Sequence, residues 1–80
     1  MNQSQIQDHI TIIKNINLYI HNTDLDEISR DIFASDTTNF LINHIEDLRT
    51  NFMGVWFSLN VFHQEKFIKC AYEKYGKKNY

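Results

Sequence analysis

Along the first quarter of the chain, apolar residues return every three or four positions. Ile6, Ile10, Ile13, Ile16, Asn17 and Ile20 share one side of a helical projection, and Ile12 and Tyr19 widen it. Ser4, Gln7, Asp8, Thr11, Lys14 and Asn15 fall opposite. This period predicts an amphipathic helix from about Ser4 to His21. The isoleucines do not alternate, and the run is too long for an ordinary strand. Leu18 is left alone on the polar side, which needs no special explanation.

The pattern stops at Asn22-Thr23-Asp24, a cluster of cap and turn residues. Thr23 or Asp24 can cap a second helix whose first turn holds Asp26 and Glu27, favourably placed at the positive end of the helix dipole. Leu25, Ile28 and Ile32 give it an apolar edge, and it is expected to end near Ala34. Ser35-Asp36-Thr37 then supplies the next cap. From there Leu41, Ile45, Leu48, Phe52, Val55 and Leu59 step by four and three, a heptad rhythm. It predicts one long central helix over about 37–59, with Gly54 a weak point at roughly 1 kcal/mol relative to alanine. Ile42, Arg49 and Trp56 lie beside the seam, so the stripe suits a packed bundle better than a two-stranded coiled coil. Asn60 or Ser58 can cap a last helix carrying Phe62, Phe67, Ile68, Ala71, Tyr72 and Tyr75. Gly76 is a natural stop, and Lys74, Lys77 and Lys78 suit the negative dipole end.

The expected fold is therefore all-α: a single domain over residues 1–80, a three- or four-helix bundle with one long central helix, completed by homodimerisation. Composition agrees with helix, since the chain has no proline and only two glycines for tight turns. It lacks a basic, apolar leader and any long apolar run, which points to a cytoplasmic protein without a membrane span. One cysteine, Cys70, excludes an internal disulfide. Eleven isoleucines and nine asparagines against two alanines and two arginines are the balance that AT-rich codons produce, as in low-GC bacteria and their phages.

Charge is unevenly spread. Residues 1–50 carry three basic against eight acidic side chains, a net of −5, and residues 51–80 carry five lysines against two glutamates, a net of +3. One reading is solvated helix faces with a basic tail; the other is electrostatic complementarity with a second copy or a charged partner.

The residues offer little chemistry. His9, His21, His44 and His63 form no Glu-x-x-His, His-x-x-x-His or His-Glu-x-x-His motif, and His44 with Asp47 reads as a surface pair rather than part of a metal site. Cys70 lies among Lys66, Lys69 and Lys74, a setting able to lower a thiol pKa, with His63 about two turns earlier. No Gly-rich phosphate loop or Gly-x-Ser-x-Gly elbow accompanies it, so Cys70 reads as a packing residue and the chain as a non-enzyme without a cofactor. Residues 25–42 loosely resemble a helix-turn-helix, with Ser29 and Ser35 at suitable places. Phe33 stands at the usual turn glycine, Asn39 where an apolar residue should be buried, and the reader helix opens on Asp36 with no basic residue before Arg49. Phosphate contacts need basic groups, so nucleic acid, through this segment or the lysine-rich end, is the second reading.

The first reading is a non-catalytic protein–protein interaction module, of the size of a small regulatory, immunity or inhibitory protein from a bacterium or phage. Two surfaces are its candidates. Met53, Trp56 and Phe57 belong to a run that is apolar almost all round its helix, and something has to cover it. Asp24, Asp26, Glu27 and Asp31 form an acidic stretch suited to a basic protein surface.

Overall fold

The computed structural model describes residues 3–33 and 38–76, and every regular element in them is helical. Helix α1 spans Gln3–Asn22 and α2 spans Leu25–Ile28, running directly into a π-helical turn, Ser29–Phe33. Helix α3 spans Thr38–Thr50, α4 Phe52–Trp56 and α5 Val61–Tyr75. The expected end of the second helix at Ala34, the cap at Ser35–Asp36–Thr37 and the basic tail Lys77–Lys78 lie outside the described residues.

The core gathers side chains from each of these elements. Ile16, Tyr19 and Ile20 of α1 meet Ile28 and Ile32, then Leu41, Ile45 and Leu48 of α3, and Phe67, Cys70 and Ala71 of α5, with Trp56 and Leu59 closing one end. The most extensive packing joins α1 to α5. The phase of α1 differs from its sequence pattern. Its buried positions are Asn15, Ile16, Tyr19 and Ile20, with Thr23 buried just beyond its end, whereas Ile10 is nearly half exposed. Isoleucines and Tyr19 together span about half the circumference of this helix. Packing therefore chose among several apolar arcs, turning the helix by roughly a quarter turn at 3.6 residues per turn.

The single helix expected over 37–59 is divided at Asn51. Its backbone takes φ −148° and ψ 69°, outside the helical region, and its side chain accepts a hydrogen bond from the Gly54 amide at 3.4 Å. Asn51 thus ends α3 and caps α4. Gly54 helps by being small: a Cβ there would stand 2.5 Å from Asn51 Nδ2. The heptad pattern concealed this break because Asn51 lies off the apolar seam. A second cap behaves as expected, with Asn60 Oδ1 accepting from the His63 amide at 2.9 Å to open α5. Asp24 occupies the N-cap position of α2 in an extended conformation but makes no side-chain cap bond.

Arg49 supplies a tie that no local pattern reveals. Its Nε and Nη2 donate to the Ile20 carbonyl at 3.1 and 2.8 Å, and its Nη1 donates to Glu46 at 3.0 Å. The last carbonyls of a helix lack intrahelical partners. A guanidinium from α3 therefore satisfies the end of α1 and places a cation at its negative pole.

Candidate functional site

Two surfaces carry the residues singled out by the sequence, and they differ in kind. The first is apolar. At the end of α4, Trp56 points inward: it is buried, stacks on Phe52 with ring centroids 5.4 Å apart and meets Phe67 edge-on at 6.3 Å. Gln64 Nε2 donates to the Trp56 carbonyl at 2.7 Å, fixing this end of α4 to α5. Met53 and Phe57 point the other way, four residues apart, and are 51% and 70% exposed. Val61, four residues after Phe57 and the first residue of α5, is 65% exposed. Val61 shares a helical stripe with Gln64 and Ile68.

Beside this projection lies a groove of about 270 Å³. His9, Ile12 and Ile13 of α1 form one wall, Gln64 and Ile68 of α5 the other, and Trp56 and Phe57 close the end. The sequence pointed to Met53, Trp56 and Phe57 but not to Val61 or the α1 wall. Those residues reach the site only through the α1–α5 packing, and Val61 directly after the Asn60 cap was the one available local sign. A more open depression of about 350 Å³ is lined by Lys14, Asn17, Leu18, His21 and Asn22, all on α1. A face built from one helix does not enclose a ligand, whereas the groove has walls from two elements.

The second surface is the acidic stretch. Asp24 and Asp26 are exposed, but Glu27 and Asp31 are engaged within the chain. Lys74 of α5 pairs with Glu27 and stands 3.6 Å from Asp31, and Tyr19 donates its hydroxyl hydrogen to Asp31 at 3.2 Å. The Lys74 ammonium holds the Glu27 carboxyl below its usual range, and Glu27 in turn raises the lysine. Burial pushes the Tyr19 phenol far up, with Cys70 and Asp31 adding to the shift. Complementarity between the acidic and basic parts of the chain is thus partly satisfied inside one molecule.

Cys70 lies in the same junction. It is buried, and its Sγ is 3.6 Å from the Asp31 carbonyl. Burial raises its thiol pKa, and the nearby Lys66 opposes this only weakly. The lysine-rich setting expected to lower the thiol is therefore overruled by desolvation. His44 and His63 both pack on Phe40, with centroids 4.1 and 4.2 Å away. Among the described residues, no group of three or more His, Cys, Asp or Glu side chains is placed to hold a metal. Asn39 is exposed, Lys66 lies over the Phe62 ring at 5.5 Å, and no described helix is long and apolar enough to cross a membrane.

Comparison with known families, with characterised proteins and with solved structures finds no significant match.

Proposed function

We propose that this chain is a small helical bundle that works as a non-catalytic protein–protein interaction module, docking through Met53, Phe57 and Val61 over the adjoining groove. The observation that carries the reading is the 70% exposure of Phe57, with Met53 and Val61, each four residues from it along the chain, exposed as well. Small proteins seldom leave apolar residues contiguous at their surface unless a partner covers them. Interface centres favour aromatic residues and methionine and are poor in charge, which describes this face. The buried Trp56 beneath it, held by Phe52, Phe67 and Gln64, gives the face a rigid base. The wider role that fits is a small cytoplasmic regulatory, immunity or inhibitory protein of bacterial or phage origin. A face without formal charge favours protein over nucleic acid as its target, because nucleic-acid binding rests on basic groups.

A photo-reactive benzoyl-phenylalanine at position 57, tested in cells, examines this reading directly. The expected result is a discrete crosslinked protein product that is absent when the same group replaces Leu18. Equal labelling from both positions, or none from either, would remove the face as a docking surface.

A further inference from the structure

Given that the apolar face is a docking surface, we infer that its partner is a second copy of the chain, related by a two-fold axis, with each Phe57 ring entering the other copy's groove. A two-fold contact sets a surface against itself, so that surface has to contain both a projection and a recess. This one does: Phe57 stands 70% exposed at the rim of a groove of about 270 Å³. A cavity of about 150 Å³ suffices for benzene, so the groove has room for a phenyl ring, and Ile12, Ile13 and Ile68 give it apolar walls.

Charge selects the same occupant. Among the side chains that form the projection or line the groove, His9 is the one titratable group, and none is a carboxylate, an ammonium or a guanidinium. A charged patch would repel its own copy across a two-fold axis, whereas this one meets itself without like-charge cost. The exposed acids Asp24, at the N-cap of α2, and Asp26, within α2, lie outside this surface. Area sets the strength. With roughly 150–250 Å² for an aromatic residue and somewhat less for valine, the exposed parts of Met53, Phe57 and Val61 come to about 300–350 Å² per copy. Including the groove walls, the pair closes about 800–1,000 Å², below the usual range for stable complexes and in that of weak, transient ones.

Sedimentation equilibrium at protein concentrations from about 1 to 200 µM tests this, with dissociation expected at about 10–100 µM. Phe57→Glu is expected to weaken the dimer at least 100-fold. Ile13→Phe, which fills the groove and leaves the projection intact, should weaken it comparably, and Leu18→Glu should not change it. Circular dichroism matching the wild type establishes that each variant is folded, and Phe57→Ala replaces Phe57→Glu if the charged variant is not. Trp56, the single tryptophan of the chain, should shift its emission to the blue as dimer forms. A monomer at 200 µM would overturn the second copy as partner. If position 57 still crosslinks another protein, the docking reading survives that result. A dimer insensitive to both Phe57→Glu and Ile13→Phe would overturn the exchange of rings.

Discussion

The two ends of α5 meet the rest of the molecule in opposite ways. Near Lys74, polar groups from three elements converge and find one another: Tyr19 from α1, Asp31 from the π-helical turn, and Lys74 itself, which also reaches Glu27. Near Val61, apolar groups from α4 and α5 converge and remain in solvent. At the first end, two of the four acidic residues that looked like a binding surface in the sequence, Glu27 and Asp31, have partners inside the chain. At the second, Trp56 is covered from within the chain, but Met53 and Phe57 lack cover among the described residues. Exposed charge is a poor sign of a docking site in so small a domain, because a lysine one helix away can absorb it. Clustered exposed apolar area is the better sign.

Substitutions that act on the shared core, on one end or on the other sharpen the contrast. The largest effect belongs to Phe67, fully buried between the two ends and in edge contact with both Tyr19 and Trp56. Phe67→Ala should cost about 3–5 kcal/mol in urea unfolding. A loss under about 1 kcal/mol would mean that the two ends do not share a core. Next is Arg49→Ala, expected to cost about 1.5–3 kcal/mol because the Ile20 carbonyl loses charged donors. Arg49→Lys should recover only part of this, since one ammonium does not reproduce the guanidinium fork.

A smaller effect follows pH. Burial, with the nearby His44 adding to it, holds the His63 imidazole below its ordinary value of 6.5. The unfolded chain therefore binds this proton more readily than the folded one. Stability should fall as pH drops below about 6.5 and level off once pH passes below the folded value. The Glu27–Lys74 pair acts in a lower range: its contribution is present above the ordinary glutamate value and disappears as pH falls through the depressed one. Urea midpoints at pH 7.5, 6 and 5 should show the first decline, and His63→Phe should flatten it. The smallest effect is that of Phe57→Ala, which in dilute, monomeric protein should leave stability within about 0.5 kcal/mol of wild type. A larger loss would place Phe57 in the fold rather than at an interface.

Period was legible in the sequence where phase was not. The spacing in α1 predicted a helix of almost the observed length, yet placed Asn15 outside and Ile10 inside. An arc so rich in isoleucine does not define one direction. The heptad run found Leu41, Ile45, Leu48 and Leu59 as core but could not register a break whose capping residue sits off the seam. Caps written in adjacent residues, such as Asn60, were readable. Ties across the chain, such as Arg49 to Ile20 or Lys74 to Glu27, were not, because each exists only after the helices have docked. The groove was hidden for the same reason, its walls coming from α1 and α5 together.

The dominance of α1–α5 packing also bears on how fast the molecule folds. Helical proteins usually fold quickly because their contacts are close in sequence. Here α3 and α4 adjoin and can form early, but the largest seam unites helices separated by all the others. Closing it costs chain entropy that grows only slowly with the length of the intervening segment, about 0.6 kcal/mol for each doubling. The search for that closure is therefore the expected slow step, yet halving the intervening length would speed it only about threefold.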